Sequence, residues 1–77
     1  MVDKEILIQN LSNLFGVPKS MITNKMTMKN SESWDSLKHM ALISMIEDTY
    51  NISLSMDDIV RMISIQEIIN VLTEKTH

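Results

Sequence analysis

The stretch DSLKHMALISMIEDTY, residues 35–50, decides the fold because its apolar residues recur at helical spacing. On a wheel with about 100° between residues, one side collects the following side chains: His39, Leu42, Ile43, Ile46 and Tyr50. We expect that side to face a core. Asp35 or Ser33 should cap the helix, because carboxylate and hydroxyl oxygens readily accept the first free backbone N–H groups. The stretch therefore predicts a helix from about Ser36 to about Tyr50.

The same segment has more apolar surface than one core face requires. The apolar residues that lie away from the core side are Leu37, Met40, Ala41 and Met45. A ridge along the helix carries Ser36, Met40, Ser44 and Glu47, with Leu37 and Asp48 beside it. Such a ridge indicates a surface that a partner protein reads, and it equally fits packing in a crowded bundle. The residues alone leave both interpretations open.

Upstream of this stretch, the pattern predicts a first helix and a long loop. The apolar stripe of the helix consists of Leu7, Ile8, Leu11, Leu14 and Phe15. Asp3 can cap its start, Gly16 suits a left-handed C-cap, and Pro18 follows as a stop. Residues 16–35 show no period, so we expect an irregular connection with a short turn at residues 20–24. The isolated apolar residues of this loop should pin it to the bundle: Val17, Ile22, Met26 and Met28.

Downstream, two pairs of capping residues predict two more helices. Ser55 and Asp58 should open a short helix that runs through Met62. Ser64 and Glu67 form what looks like the better capping box, ahead of Ile65, Ile68, Ile69 and Leu72 at helical spacing. NISLS, residues 51–55, alternates but is too short and isolated for a sheet. We predict an all-α, four-helix bundle in a single domain over residues 1–77, with three longer helices, one short helix and a long loop between the first two.

Composition excludes several classes of protein. The 77 residues include no cysteine, so neither a disulfide framework nor a thiolate metal site can form. No apolar run approaches the roughly 20 residues of a membrane span, and the opening residues do not resemble a signal peptide. We therefore expect a cytoplasmic protein that does not bind membranes. Residues 31–77 carry three basic and eight acidic groups, which argues against nucleic acid and fits a basic partner surface or an ordinary solvated face.

Ser36 is the chemically suggestive residue, as a nucleophile or as an attachment point. Asp35, Ser36 and His39 contain the residue types of a hydrolytic triad, but adjacent Asp and Ser side chains diverge by about 100° on a helix. The chain also lacks a G-x-S-x-G turn and has only one glycine. His39 lies on the apolar side, where a hydrogen-bonded structural histidine is commoner, and with His77 it makes no metal site. We therefore predict no catalytic residues and no metal, and a phosphate ester on Ser36 would sit favourably at the positive end of the helix.

Three further segments make this interpretation specific. DSL opens the apolar helix, IEDTYNISL follows at residues 46–54, and DDIVRMISIQEIINVL follows at residues 57–72. Together they resemble the acyl carrier protein family almost without a gap over residues 35–72, and the first helix and long loop fit the same plan.

The resemblance implies a four-helix carrier whose Ser36 receives 4′-phosphopantetheine from coenzyme A through a phosphopantetheinyl transferase, with Asp35 and Leu37 flanking the attachment site. The thiol of the arm would carry acyl groups between acyl-loading and acyl-processing enzymes, so the chain itself would not be an enzyme. We expect it to act as a monomer. The resemblance implies a partner surface at Leu37, Lys38, Met40, Ala41, Ser44, Glu47 and Asp48. It implies an acyl-binding interior at Ile43, Ile46, Leu54, Ile59 and Met62.

Two departures indicate a specialised pathway. Carriers of primary fatty acid synthesis usually have acidic residues where this chain has Lys38 and Ala41, and Trp34 replaces their glycine-containing turn. A modified-lipid, fatty acid or polyketide pathway fits this pattern. A peptidyl or aminoacyl carrier with the same arm, and a small acidic helical adaptor with no prosthetic group, stay open as alternatives.

Overall fold

The computed structural model describes residues 3–76, and within that range it contains four α-helices and one 3₁₀ turn. The elements are α1 (Lys4–Phe15), the 3₁₀ turn (Lys19–Met21), α2 (Ser36–Tyr50), α3 (Met56–Arg61) and α4 (Ile65–Lys75). The described residues form no β-strand. The predicted all-α architecture, with three longer helices, one short helix and a long loop between α1 and α2, is confirmed. Met1, Val2 and His77, which entered the predictions about a signal peptide and about metal ligands, lie outside the described residues.

The caps of α1 are those that the sequence predicts. The Asp3 carboxylate accepts from the backbone N–H groups of Glu5 and Ile6 at 3.0 and 3.3 Å. Gly16 ends the helix at a φ of 68°, a left-handed conformation that costs glycine little because it has no Cβ. Its N–H donates to the carbonyl of Ser12 at 2.9 Å. This turn directs the chain into the long loop.

The structure shows which of the two predicted residues, Asp35 or Ser33, caps the N-terminus of α2. The Asp35 carboxylate accepts from the backbone N–H of Lys38 at 2.9 Å, so Asp35 and not Ser33 is the N-cap. At the other end, Asn51 adopts a left-handed conformation with a φ of 54°. Asparagine tolerates this conformation better than most residues that carry a Cβ. The residues that begin and end α2, Asp35 and Asn51, therefore lie directly beside it in the sequence.

The ranking of the two capping boxes is wrong. The reciprocal box belongs to α3, where Ser55 Oγ accepts from the N–H of Asp58 and the Asp58 carboxylate accepts from the N–H of Ser55. At α4, Ser64 Oγ accepts from the N–H of Glu67, but the Glu67 carboxylate accepts from Arg61 and Asn70 instead. A carboxylate that can reach a guanidinium gains a charge-assisted hydrogen bond, and that pair outcompetes the local cap.

The core collects the apolar stripes of α1, α2 and α4 together with residues of the connections. Its buried apolar members are Leu7, Leu11, Phe15, Ile22, Met26, Trp34, Leu42, Ile43, Ile46, Met62, Ile65, Ile68, Val71 and Leu72. His39 is buried among them. The predicted core face of α2 is therefore confirmed, while its Tyr50 end is only partly buried. α3 contributes no fully buried residue, so it lies on the bundle and does not penetrate it.

The long loop is pinned to the bundle as predicted, but its turn begins earlier. Ile22 and Met26 are buried, and Val17 and Met28 pack against the core. The 3₁₀ turn spans Lys19–Met21 and not residues 20–24, because Pro18 has its φ set near −62° and starts the turn directly. Backbone hydrogen bonds join residues 26 and 28 to residues 65 and 63, at 3.0 and 2.9 Å. The loop is thereby tied to the link between α3 and α4.

Two leucines of α2 test the assignment of its faces. Leu42 is fully buried, whereas Leu37 is 82% exposed on the same helix. We expect Leu42→Ala to lower the free energy of unfolding by roughly 2–5 kcal/mol, because it removes buried apolar atoms and leaves a cavity. Leu37→Ala should change it by less than about 0.5 kcal/mol. Denaturant unfolding measures both, and equal effects would mean that the faces are assigned wrongly.

Asp58 should make the stability of the fold depend on pH. The backbone N–H of Ser55, and then the Lys75 ammonium, lower the pKa of Asp58 below its ordinary value. A carboxylate with a lowered pKa in the folded state stabilises it above the unfolded pKa, and this contribution is lost as pH falls through the folded pKa. We expect Asp58→Asn to lower the melting temperature at pH 7 and to match the parent near pH 2. Asp57→Asn, which removes the same charge from the same turn, should have a smaller effect.

Candidate functional site

Ser36 is the first residue of α2 and is exposed to solvent. The first N–H groups of an α-helix have no acceptor within the helix, and the helix dipole adds positive potential at this end. The Asp35 carboxylate accepts from the N–H of Lys38, one of these groups. The Ser36 hydroxyl therefore lies in an accessible place that favours an anionic substituent. Leu37, beside it, is 82% exposed.

Trp34 anchors the segment that leads into Ser36. Only 1% of its surface is exposed, although it lies two residues before an exposed serine. Its ring packs on Phe15 of α1 with 5.1 Å between the centroids. Its indole Nε1–H donates to Nδ1 of His39 at 3.1 Å. The chain thus enters α2 from a fixed point in the core, which sequence reasoning missed because it treated Trp34 only as a departure from a glycine turn.

His39 is engaged through both ring nitrogens. Because an indole N–H can only donate, Nδ1 of His39 must accept, and the ring proton must therefore be on Nε2. Nε2 lies 2.8 Å from the carbonyl oxygen of Ile59 in α3 and donates to it. The imidazole is neutral in this arrangement, and neither nitrogen is left to take a proton from Ser36. The prediction of a hydrogen-bonded structural histidine is confirmed, and the geometry is not that of a Ser–His catalytic pair.

Lys38 reaches across to α1. Its Nζ donates to the carbonyl oxygen of Leu14 at 3.0 Å. The last turn of α1 contains no basic residue of its own, so Lys38 supplies the cation that the carbonyl end of that helix favours. The basic residue that departs from the usual carrier pattern therefore has a contact within the chain. Its predicted role toward partners stays a prediction.

The predicted partner surface is exposed over most of its length. Leu37 and Met40 are 82% and 57% exposed. The other exposed members of the set are Lys38, Ala41, Ser44 and Asp48. Glu47 differs from them, since it is partly buried and its carboxylate accepts from the backbone N–H of Leu54 at 2.9 Å. Apolar side chains therefore dominate the exposed face of the first two turns of α2.

The predicted interior set lies in or against the core. Ile43, Ile46 and Met62 are buried, and Leu54 and Ile59 are partly buried and pack against the core. Two exposed apolar residues of α3, Met56 and Val60, were missed in the sequence. Their spacing of four residues, which places them on one face of a helix, was the available signal.

The described residues contain no group of three or more histidine, cysteine, aspartate or glutamate side chains that could hold a metal ion. None of the helices over residues 3–76 combines the length and the apolar character that crossing a bilayer requires.

Comparison with protein families completes the description of the site. A family model described as the phosphopantetheine attachment site matches residues 5–72, from the first turn of α1 to the last buried leucine of α4. The chain belongs to this family of phosphopantetheine-binding carrier proteins. The family is defined by covalent attachment of 4′-phosphopantetheine, and its members interact with phosphopantetheinyl transferases and with enzymes that process the carried group. It is a family of carrier domains and not a catalytic one.

Variants of two adjacent acidic residues of this carrier distinguish a contact within the chain, made by Glu47, from an exposed charge, that of Asp48. We expect Glu47→Ala to lower the free energy of unfolding by roughly 1–2 kcal/mol, because it leaves the partly buried N–H of Leu54 without its charged acceptor. Asp48→Ala removes the same charge from an exposed position and should cost less than about 0.5 kcal/mol. Denaturant unfolding compares them. A loss no larger for Glu47→Ala than for Asp48→Ala would show that the Glu47–Leu54 contact does not stabilise the fold.

Proposed function

We propose that this chain is an acyl carrier protein that holds acyl groups as thioesters on a 4′-phosphopantetheine arm attached to Ser36. The observation that supports this assignment is the exposure of Ser36 at the first turn of α2, inside the region matched by the family. Asp35 and Leu37 flank the attachment site. The arm supplies a thiol that forms thioesters, which a chain without cysteine lacks.

The residues around Ser36 fit the attachment reaction. The Ser36 hydroxyl oxygen attacks the phosphorus atom of coenzyme A that bears the pantetheine, and a new phosphorus–oxygen bond forms. The bond from that phosphorus to the bridging oxygen breaks, adenosine 3′,5′-bisphosphate leaves, and the hydroxyl proton passes to a base of the transferase. The free N–H groups of the first turn of α2 stabilise the resulting phosphodiester. His39 takes no part in this chemistry, because Trp34 and Ile59 occupy its ring nitrogens.

The exposed face beside Ser36 is the proposed partner surface. Leu37 and Met40 offer apolar contacts close to the attachment point, and Ala41, Ser44 and Asp48 extend the face along α2. Lys38 and Glu47 border this face while making contacts within the chain. Partners would include the transferase and the enzymes that load and process the acyl group. The residues at positions 38 and 41 favour a specialised fatty acid, polyketide or modified-lipid pathway.

The way in which α3 is held supports an acyl chain as cargo. α3 has no fully buried residue and is joined to α4 by ion pairs of Asp58 with Lys75 and of Arg61 with Glu67 and Glu74. The Arg61 pairs are largely exposed and contribute little to stability, so moving α3 would cost less than moving a helix with fully buried residues. An apolar chain would then contact the predicted interior set: Ile43, Ile46, Leu54, Ile59 and Met62. The single-domain organisation, the monomeric state and the cytoplasmic location stay predictions from the sequence.

Enzymatic modification tests the assignment. We expect coenzyme A and a broad-specificity phosphopantetheinyl transferase to add one phosphopantetheine to the protein, as intact mass spectrometry shows. Ser36→Ala should fold normally and gain nothing, because it lacks the accepting hydroxyl. Ser44→Ala, which removes another exposed hydroxyl of α2, should be modified like the parent. A parent that stays unmodified would favour the adaptor hypothesis, and modification of Ser36→Ala would move the site to another residue.

A further inference from the structure

The contact between α2 and α3 depends on His39. Among the described residues, the hydrogen bond from His39 Nε2 to the Ile59 carbonyl is the only side-chain hydrogen bond that joins these two helices. No residue of α3 is fully buried, and the partly buried Ile59 packs against the core. The 2.8 Å bond to His39 adds a directional contact that helps to set where α3 lies relative to the start of α2.

The bond is one of two that require the same form of the imidazole. Trp34 Nε1 can only donate to it, and the Ile59 carbonyl can only accept from it. Trp34, whose N–H orients the imidazole ring, is itself buried in the core and packed on Phe15. These two hydrogen bonds link α3 through His39 to Trp34 in the core.

In the sequence, an exposed apolar residue follows each of the two residues that form the His39–Ile59 hydrogen bond. Met40 follows His39 and is 57% exposed, and Val60 follows Ile59 and is 65% exposed. One turn away on each helix lie Leu37 and Met56, 82% and 72% exposed. Solvent-exposed apolar side chains gathered beside a modification site indicate a surface that another protein contacts. The His39–Ile59 bond joins the two helices that carry these side chains.

We propose that His39 is a positioning residue for the modification of Ser36. It lies one turn after Ser36 and acts through Trp34 and Ile59 without touching the reacting hydroxyl. By fixing α3 against the first turns of α2, it presents Ser36 together with the apolar side chains of both helices as one preformed surface for the transferase. This inference rests on the proposed function, because it requires Ser36 to be the acceptor.

Two amide substitutions separate the bond to Ile59 from the rest of the side chain. The amide nitrogen of Gln reaches about as far as Nε2 of His39 and can donate to Ile59, whereas the shorter side chain of Asn reaches only the position of Nδ1. We expect His39→Asn to raise the KM for the unmodified carrier roughly two- to ten-fold, the range that corresponds to one net hydrogen bond. Its kcat should stay within about two-fold of the parent. His39→Gln keeps the donor to Ile59 but loses the acceptor for Trp34, so it should raise KM less than His39→Asn does.

Three further experiments exclude a merely structural effect. Val71→Ala truncates a fully buried residue of α4 and lowers stability away from the link, so it should leave KM unchanged at a temperature at which the protein is folded. Hydrogen exchange should be faster in α3 of His39→Asn than in the parent, and His39→Gln should lie between the two. Trp34→Phe keeps an aromatic ring against Phe15 but removes the indole donor, and it should raise KM in the same way.

The outcomes distinguish this inference from the proposed function. A parent protein that the transferase does not modify overturns the proposed function, and the inference with it. A modified parent whose KM is unchanged by both His39→Asn and Trp34→Phe overturns the inference alone. An equal rise in KM for Val71→Ala also overturns it, because loss of stability would then explain the effect. If His39→Asn does not fold, an unchanged KM for Trp34→Phe is sufficient to overturn it.

Discussion

The burial of Trp34 is the constraint on which the rest of the structure depends. A buried indole supplies a large apolar surface but carries an N–H group that must find an acceptor. His39 provides that acceptor through Nδ1, which requires the ring proton to be on Nε2 and aims it at the carbonyl of Ile59. One side chain two residues before Ser36 thereby determines the tautomer of the histidine and directs its N–H toward α3. In a chain of 77 residues with a small core, such directional contacts contribute much of the unique geometry.

Two charged residues of α2, Lys38 and Glu47, make contacts within the chain, although the sequence predicts that they face partner proteins. Lys38 neutralises the carbonyl end of α1, and Glu47 holds the N–H of Leu54 in the connection to α3. Both side chains belong to the set assigned to partner contacts, yet each has a partner within the chain. The face next to Ser36 is consequently apolar at Leu37 and Met40. A carrier of this kind would be recognised by apolar contact near the attachment point, with charge contributing at the periphery.

The division of labour between the carrier and its partners follows from the same geometry. Ser36 is accessible and lies at a helix terminus that favours a phosphodiester, while His39, one turn away, is committed to structural hydrogen bonds. The protein supplies a position and a surface. In the proposed function, the arm supplies the reactive thiol and the transferase supplies the catalysis. A short chain without cysteine can in this way serve thioester chemistry by holding a group that it did not itself make.

The sequence by itself determined the features that depend on neighbours along the chain. The cap at Asp3, the left-handed Gly16, the core face of α2 and the exposed Ser36 could be predicted, because caps and helical periodicity are local. Three features required the tertiary structure. The Glu67 carboxylate binds Arg61 instead of capping α4, and the Lys38 ammonium donates to the carbonyl of Leu14. The His39 ring joins Trp34 to Ile59. Each joins groups whose approach depends on the packing of separate elements. Periodicity shows which side of a helix is buried, but only the folded chain decides which polar atoms meet there.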